Sequence, residues 1–381
     1  MPSNSATFFL IAGEPSGDSR GAELVHALKN ENPNFQFIGL GGPKMEAEGV
    51  KLLFDMTSIS ALGFGDVLRQ YFKIRGIFYN ALKHVRQIKP DAIILIDYPG
   101  FNLRFAKKIN RRIPIFYYVS PQIWAWGMRR IHTIRRVVSH MLVFFQFEEA
   151  LYKKAGVPVT WVGHPLLDSV KPSKSKPELK KEFGIEENKT VISLLPGSRE
   201  TEVKRILPVM LESADLIKKE IPNVIFLVSE SGNVSEKVYH FPLNSYSGKI
   251  TVKKIGNRMY DLLAISDFAL VTSGTATLET TILQIPYVLL YKTARSTYAI
   301  GKQLVRVSFL GIANIIAGRK MIPEFIQHEA NPQKIAAEVI SILKDSGRKL
   351  KMLADLKEVK QKLGPASASA RAAKRITALL N

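Results

Sequence analysis

Short apolar runs alternate with longer amphipathic stretches along almost the whole chain, and this alternation restricts its fold more than any other feature. Five runs in the first part of the chain are predicted to be strands, at residues 7–12, 35–40, 92–96, 115–119 and 141–145. Strands that are apolar along their whole length are typical of a parallel sheet with helices on both faces. The first part of the chain is therefore predicted to be a Rossmann-like α/β domain.

The pattern is interrupted at residues 171–177 and then begins again. This KPSKSKP segment is polar, contains two prolines and is predicted to be an interdomain linker. Five more strands are predicted at residues 191–195, 224–228, 250–252, 268–271 and 287–291, and two amphipathic stretches follow from about Pro332. We expect a first domain at 1–170, a second Rossmann-like domain at 171–350, and C-terminal helices at 351–381 that pack back toward the first domain.

The net charge is unusual for a chain of 381 residues. Lys and Arg number 54 against 33 Asp and Glu, which gives a formal charge of +21. Such an excess indicates a polyanionic partner, either nucleic acid, an anionic membrane surface or a phosphorylated substrate. The chain has no cysteine, which excludes disulfides, thiolate zinc sites and a cysteine nucleophile. No apolar run reaches the ~18 residues of a membrane span and no signal peptide is evident, so a cytoplasmic protein is expected.

Ligands of such sheets bind beyond the carboxyl ends of the strands, so polar residues at those positions are the candidate functional residues. Asp97 follows a strand without polar residues, and a carboxylate at the edge of an apolar core can serve as general base for a hydroxyl nucleophile. Asp97 could equally cap the next helix or turn. The turn at residues 13–18, which contains Glu14 and Asp18, could bind an anion or a hydroxyl-rich ligand, or could be an ordinary strand-to-helix turn.

Two turns in the second part of the chain are suited to phosphate. In the LPGSR turn, Gly197 and Ser198 allow close approach of the backbone, and Arg199 offers a planar, permanently charged pair of donors. This favours a diphosphate contact over a surface ion pair. In the TSGTATLE turn at residues 272–279, hydroxyl and N–H groups at a helix start suit phosphate, and Glu279 can accept two bonds from a ribose diol. A capping box without a ligand is the alternative for this second turn.

Three other features each permit two interpretations. The SPQIWAW segment at residues 120–126 could stack on a ring or lie at a lipid interface, or could supply core aromatics beside a solvated basic face. The amphipathic stretch Val67–Ile88, with Phe64 next to it, could lie on a membrane surface or pack against its own domain. His164 lies in a turn and is a secondary candidate, since a lone histidine is more often structural. The seven histidines show no metal-ligand spacing.

Taken together, the motifs resemble those of the lipid-A-disaccharide synthase family. The resemblance extends from Phe9 to about Ile340, with the motifs in the order GEPSGD, GGPKMEAEG, IDYPGFN, SPQIWAW, WVGHPLLD, LPGSRETEV and TSGTATLE. It implies a GT-B glycosyltransferase with two Rossmann-like domains facing each other across a cleft. The implied reaction joins UDP-2,3-diacylglucosamine to 2,3-diacylglucosamine 1-phosphate, forms a β-1,6 disaccharide 1-phosphate with inversion, and releases UDP without a metal or other cofactor.

The resemblance also implies roles for particular residues. The first domain would face the membrane and bind the acceptor, and the second would bind the UDP-sugar. Asp97 and Arg199 correspond to essential residues of the family. The residues implied at UDP are Arg199, Ser273, Gly274, Thr275, Glu279 and Asn314, and those on the acceptor side are Glu14, Ser16 and Asp18. Some members carry a second Asp three residues after the first, where this chain has Gly100. The base role therefore rests on Asp97 or on another group.

The implied partners are the two sugar-lipid substrates and the anionic cytoplasmic surface of the inner membrane, but not nucleic acid. A homodimer is possible, and the sequence does not determine the oligomeric state. A basic nucleic-acid-binding protein is the alternative from another class, although no signature of a DNA- or RNA-binding module is present. A closer alternative is another GT-B enzyme that acts on UDP-sugars, such as an epimerase. Such an enzyme would keep Arg199 and Glu279 but would not need the Val67–Ile88 stretch.

Overall fold

The structure, a computed structural model, describes residues 5–60, 67–296, 298–299 and 307–380. The chain divides into two compact units. Unit 1 comprises Met1–Pro165 and Leu363–Asn381, and unit 2 comprises Leu166–Lys362. The boundaries between the units thus lie at 165/166 and 362/363, whereas the sequence analysis places them at 170/171 and 350/351.

Unit 1 is built on a seven-stranded parallel sheet with the strand order β3-β2-β1-β4-β5-β6-β7. Its strands are β1 (Thr7–Ala12), β2 (Gln36–Gly41), β3 (Lys51–Asp55), β4 (Ala92–Ile96), β5 (Ile115–Tyr118), β6 (His140–Val143) and β7 (Val159–Trp161). The helices among these strands are α1 (Pro15–Glu31), α2 (Pro43–Ala47), α3 (Thr57–Ser60), α4 (Val67–Ile88), α5 (Pro99–Ile109), α6 (Arg130–Val137) and α7 (Gln146–Lys154). Helices therefore connect strand to strand, as the alternating pattern predicts.

The central strands of this sheet are apolar on both faces because helices cover both faces. Successive residues of a strand point to opposite sides, so Phe9 and Ile93 belong to one apolar cluster. Phe8 and Ile94 belong to another. Strands β1 and β4 are paired in parallel at the centre. Every strand-to-helix turn of a parallel sheet of this kind lies at its carboxyl edge, so the turns after β1, β4, β5 and β6 share one edge.

Unit 2 repeats this architecture with six parallel strands in the order β10-β9-β8-β11-β12-β13. The strands are β8 (Thr190–Leu195), β9 (Val224–Glu230), β10 (Val252–Gly256), β11 (Phe268–Thr272), β12 (Tyr287–Tyr291) and β13 (Glu324–Ile326). The helices of unit 2 are α8 (Leu166–Ser169), α9 (Lys176–Glu182), α10 (Glu200–Glu220), α11 (Glu236–Asn244), α12 (Met259–Ala264), α13 (Thr275–Ile282), α14 (Ile312–Ala317), α15 (Pro332–Lys344) and α16 (Ser346–Lys362). A 3₁₀ turn occupies Gln327–Glu329.

The last helix, α17 (Ala368–Leu380), belongs to unit 1. Its buried side chains Ala372, Ala373 and Ile376 lie in the same apolar cluster as Phe8 of β1. The small alanine side chains allow a helix to approach its neighbour closely. Unit 1 is therefore completed by a segment that follows the whole of unit 2 in the sequence.

Nine of the ten predicted strands occur within two residues of their predicted bounds. The tenth, predicted at residues 250–252, overlaps β10 only at Val252, and the sequence analysis missed β3, β7 and β13. These four are the edge strands of the two sheets. An edge strand has a neighbour on one side only, and each of these four is partly exposed along most of its length. They therefore lack the continuous apolar run by which the inner strands were recognised.

The linker prediction for residues 171–177 is wrong, because this segment lies inside unit 2. The backbone N–H of Ser173 donates to the Asp261 carboxylate at 2.6 Å, and the Ser173 hydroxyl donates to the other oxygen at 2.8 Å. Helix α9 begins at Lys176, still within the segment. Ser173 is thus bonded within unit 2, and the segment, although exposed, does not join the two units.

Asp18 links α1 to the start of α2 in unit 1. Its side chain is 2% exposed and accepts three backbone N–H bonds, from Gly42 at 2.9 Å, Lys44 at 3.0 Å and Met45 at 3.0 Å. A carboxylate at the first turn of a helix satisfies N–H groups that have no partner within the helix. Asp18 is thus engaged in the fold of the turn after β2.

We predict that Asp18→Ala lowers the free energy of unfolding of unit 1 by about 3 kcal/mol, because it leaves buried N–H groups without an acceptor. The three tryptophans of the chain, at positions 124, 126 and 161, all lie in unit 1. Urea unfolding followed by tryptophan fluorescence therefore measures this unit. Ser19→Ala, a change at the neighbouring exposed hydroxyl, should alter stability by less than about 0.5 kcal/mol. Equal stabilities of the two variants would contradict the structural role of Asp18.

Candidate active site

The turn after β4 holds Asp97 in an uncommon backbone conformation. Asp97 and Tyr98 have φ angles of 47° and 45°, in the left-handed region. The Tyr117 hydroxyl donates to the carbonyl oxygen of Asp97 at 2.6 Å, and the buried Asn102 amide donates to the same oxygen at 2.8 Å. Conformations of this kind cost about 1–3 kcal/mol each and persist where surrounding contacts enforce them, frequently at functional sites. The side chains of Tyr117 and Asn102 therefore fix the conformation of this turn.

The environment of Asp97 makes its carboxylate more basic than usual. Burial raises its pKa to about 6, Glu14 nearby adds to the rise, and the backbone N–H of Tyr98 opposes it. A carboxylate with this pKa is ionised at neutral pH and still accepts a proton more readily than an exposed aspartate. This combination suits a general base.

The turn after β1 packs directly on the Asp97 turn. The ring of Tyr98 occupies the space where a side chain at Gly13 would lie, since a Cβ built there would be 2.3 Å from ring carbons. Glycine is therefore required at this position. Glu14 and Ser16 are exposed in the same turn, and Glu14 is close enough to act on Asp97. Asp18, also predicted on the acceptor side, points toward the start of α2 instead.

A second buried carboxyl group, which the sequence analysis did not select, lies at the same edge of the unit 1 sheet. Glu148 in the first turn of α7 is 3% exposed. Burial raises its pKa to about 7, although hydrogen bonds from Trp124 and the backbone of Phe145 oppose this. The available signal was its position just after strand β6, which is the criterion that selected Asp97.

His164 has a structural environment. Its side chain is buried and packs on the rings of Phe144 and Phe145, with ring centroids 5.3 and 5.2 Å away. Burial, with a smaller contribution from Arg20, lowers the pKa of His164 to about 3. The imidazole is therefore neutral throughout the physiological range.

Helix α4 packs one face against its own domain, as one of the two interpretations of the Val67–Ile88 stretch predicts, and exposes aromatic side chains elsewhere. Ile77, Ala81 and Val85 are buried in unit 1, whereas Tyr71, Phe72 and Tyr79 are 52, 60 and 52% exposed. Phe64 and the side chains of residues 67–70 lie outside the described residues. Across the part of the chain that the structure describes, no helix has the length and apolar character of a membrane span.

The second set of predicted residues lines a cavity of about 730 Å³ in unit 2. Its walls are the turns that follow β8, β9, β10 and β11, which meet at the carboxyl edge of the sheet. The predicted residues among its lining are Arg199, Ser273, Gly274, Thr275 and Glu279. The structure thus brings together residues that lie some eighty positions apart in the sequence.

Arg199 is the last residue before α10 and its side chain is 77% exposed. It forms an ion pair with Glu202 at 2.8 Å. The other carboxylate oxygen of Glu202 accepts the backbone N–H of Ser198 at 3.1 Å and so holds the turn. An exposed ion pair of this kind contributes little free energy, and a guanidinium has five N–H donors. Arg199 can therefore bind an anion in the cavity while Glu202 orients it.

Tyr260, which the sequence analysis did not select, and Thr272, the first residue of the TSGTATLE turn, also line the cavity beside β11 and α13. The Tyr260 hydroxyl donates to Glu279 at 2.7 Å and so orients a carboxylate that is 8% exposed. Thr272 lines the cavity, and its hydroxyl is buried and has no hydrogen-bond partner among the described residues. A buried polar atom without a partner is costly unless a ligand or water satisfies it. The Thr272 hydroxyl is such an atom, beside the cavity.

Asn314 does not line this cavity. It is fully buried, and its amide donates to the carbonyl of Ile322 at 2.9 Å and to Glu324 at 2.8 Å. Its oxygen accepts the backbone N–H groups of Met321 and Ile322 at 2.9 and 2.8 Å. Four hydrogen bonds use the full capacity of the side chain. The structure therefore places Asn314 as a support for the segment before β13.

Comparison with known proteins gives consistent results along the whole chain. A family model described as lipid-A-disaccharide synthetase matches residues 8–377. A curated protein from Syntrophus aciditrophicus (strain SB), named lipid-A-disaccharide synthase, is 41% identical over 371 residues, which cover 97% of each chain.

Solved structures of proteins with much lower sequence identity have a similar fold. A UDP-GlcNAc 2-epimerase from Neisseria meningitidis, bound to UDP-GlcNAc, aligns with a TM-score of 0.60 and 15% identity over 99% of each chain. A glycotransferase of kitacinnamycin aligns with a TM-score of 0.64 and 14% identity over 99% of this chain and 100% of the other. These likenesses show the GT-B fold alone, since the fold is common to enzymes of different activity.

Proposed function

The chain belongs to the lipid-A-disaccharide synthase family, and on that basis we propose that Asp97 takes the proton of the acceptor while the unit 2 cavity binds the UDP group of the donor. The enzyme is a glycosyltransferase that forms the lipid A disaccharide from a UDP-sugar and a lipid phosphate. Family membership at this identity does not favour the epimerase or nucleic-acid-binding alternatives. The proposal therefore concerns the role of each residue in this glycosyl transfer.

The observation that carries the proposal is the position of Asp97. It is a half-buried carboxylate at the carboxyl edge of the unit 1 sheet, held by Tyr117 and Asn102, with its pKa raised to about 6. We assign it the role of general base. In a single displacement, the 6-hydroxyl oxygen of the acceptor forms a bond to the anomeric carbon of the donor, and Asp97 takes the hydroxyl proton. The bond from that carbon to the diphosphate breaks, which inverts the configuration.

In this proposal the cavity of unit 2 stabilises the leaving UDP. Negative charge accumulates on the diphosphate as the bond breaks, and Arg199 and the N–H groups at the start of α13 are donors for it. Thr272 and Ser273 add hydroxyl groups, and Glu279, oriented by Tyr260, is placed to accept the ribose hydroxyls. Side chains and N–H groups of the protein thus stabilise the negative charge on the leaving diphosphate.

We further propose that α4 contacts an anionic membrane surface. Its exposed aromatic residues Tyr71, Phe72 and Tyr79 are interspersed with Lys73, Arg75, Lys83 and Arg86. Aromatic and basic side chains on one exposed helix face suit the interface between lipid head groups and acyl chains. The lipid nature of the substrates agrees with this contact. The homodimer and the absence of a nucleic-acid partner stay predictions of the sequence analysis.

We predict that Asp97→Asn lowers kcat by about 10²- to 10⁴-fold, the usual contribution of general base catalysis, with UDP affinity unchanged. In the unchanged enzyme, kcat/KM should fall as the pH drops below about 6, because Asp97 then carries a proton. UDP release assays across pH measure both. Asp91→Asn, at the other end of β4, is the control and should retain activity. A variant Asp97→Asn with near-normal kcat would exclude Asp97 as the base.

We predict that Arg199→Ala weakens UDP binding by at least about tenfold, as expected for loss of hydrogen bonds from a charged donor. Isothermal titration calorimetry with UDP measures the change. Arg205→Ala removes an exposed cation from the same helix that does not line the cavity. If both variants bind UDP as tightly as the unchanged protein, Arg199 is not a diphosphate ligand.

The membrane contact predicts that Tyr71→Ser with Phe72→Ser reduces binding to phosphatidylglycerol–phosphatidylethanolamine vesicles at least about fivefold, because apolar burial and charge attraction act together. Co-sedimentation measures the bound fraction, and high salt should weaken binding of the unchanged protein. Phe241→Ser alters an aromatic residue that is 79% exposed in unit 2 and should have no effect. Loss of binding in the Phe241 variant alone would place the contact elsewhere.

A further inference from the structure

The loop between β5 and α6 takes no part in the proposed chemistry, yet its inner end is firmly held. Its first residue, Val119, has a φ of 64°, which is rare for a β-branched residue. The next residue, Ser120, is buried and shares a 2.9 Å hydrogen bond with the hydroxyl of Tyr152 in α7. The loop therefore leaves the sheet in one enforced direction.

Glu148 holds the middle of this loop through Trp124. The indole N–H of Trp124 donates to one Glu148 oxygen at 3.2 Å, and the backbone N–H of Phe145 donates to the other at 3.3 Å. The Trp124 ring also packs edge-on against Phe147, with centroids 5.3 Å apart. A carboxyl group that is 3% exposed is costly to bury. The burial of the Glu148 carboxyl group is explained by its hydrogen bond to Trp124, which fixes the loop to α7.

The outer end of the loop presents an aromatic ring and a cation. Trp126 is 45% exposed, and the Arg130 guanidinium lies 4.6 Å from the centre of its ring. Arg130 also acts electrostatically on Tyr117, whose hydroxyl binds the Asp97 carbonyl. In the ranges that the structure describes, Arg130 forms no ion pair with a carboxylate. The outer end of the loop and the first residue of α6 thus bring an apolar surface and a cation to the edge of the sheet that holds Asp97.

We propose that this loop binds the phosphorylated lipid acceptor, with Arg130 on its phosphate and Trp126 on its apolar part, and that Glu148 is the positioning residue that holds the loop through Trp124. The inference rests on the proposed role of Asp97, since it places the acceptor at the same edge. The match is chemical, because a guanidinium is a strong partner for a phosphate and an indole face covers apolar chains.

The test compares steady-state kinetics and UDP calorimetry for Glu148→Ala, Trp124→Phe and Glu148→Gln. The first two break the Trp124–Glu148 bond from either end and should each raise KM for the acceptor at least about fivefold, with UDP affinity unchanged. Glu148→Gln retains an oxygen that can accept the indole N–H, but its NH₂ group then faces the backbone N–H of Phe145. Its KM for the acceptor should therefore lie between those of Glu148→Ala and the unchanged enzyme. Glu149→Ala, which removes the adjacent carboxylate paired with Lys153, is the matched control and should leave KM unchanged.

Arg130→Ala tests the ligand assignment directly. It should raise KM for the phosphorylated acceptor at least about fivefold and leave KM for an acceptor analogue lacking the phosphate unchanged. Equal effects on both acceptors would overturn the phosphate contact. Folded Glu148→Ala and Trp124→Phe variants with unchanged KM would overturn the positioning role. Circular dichroism confirms folding, and Trp124→Phe, which retains the ring packing, decides the question if Glu148→Ala does not fold.

These outcomes are distinguishable from failure of the proposed function. Loss of the base role would appear as a normal kcat in Asp97→Asn, whereas the loop variants change KM for the acceptor. A normal kcat in Asp97→Asn together with the expected KM changes would leave the loop as the acceptor site and move the base elsewhere.

Discussion

The hydrogen bonds from Tyr117 and Asn102 to the carbonyl oxygen of Asp97 are the interaction on which the unit 1 site depends. They hold two consecutive non-glycine residues in the left-handed conformation at the exit of β4. The ring of Tyr98 packs against Gly13, so the turn after β4 determines the position of the turn after β1. The position of Glu14, and with it part of the shift in the pKa of Asp97, follows from this packing. A strained backbone is thus stabilised by buried donors and in turn positions the exposed residues around it.

The two candidate sites use opposite electrostatic environments for opposite tasks. Asp97 and Glu148 are carboxyl groups partly or wholly withdrawn from water, which raises the pKa of each. Proton transfer benefits from such a shift. Arg199 instead remains largely exposed on a helix start, where its charge is permanent and available to a polyanionic ligand. Under the proposed roles, parts of the formal charge of +21 serve different ligands: Arg199 the UDP group, Arg130 a lipid phosphate, and the cations of α4 a membrane surface.

The central strands and the two principal candidate residues were predictable because they depend on local pattern. A strand buried on both faces needs a continuous apolar run, and a polar residue directly after it lies at the carboxyl edge of the sheet. Asp97 and Arg199 were found in this way. The four edge strands were not found or were misplaced, because one-sided pairing and partial exposure remove that signal. Residues 171–177 were misread for a related reason, since composition does not reveal that Ser173 binds Asp261.

The sequence by itself determined the repeated α/β pattern, the family and the identity of the residues at the strand ends. Tertiary structure alone decided which of those residues share a site. It placed Asp18 and Asn314 in hydrogen bonds that support turns, and it brought Tyr260 to Glu279 and Trp124 to Glu148 across nineteen and twenty-four positions of sequence. The physical reason is that burial and hydrogen-bond partners depend on distances in space. A local pattern can indicate that a carboxylate leaves an apolar strand, but the atoms that shift its pKa or fix its orientation come from other elements.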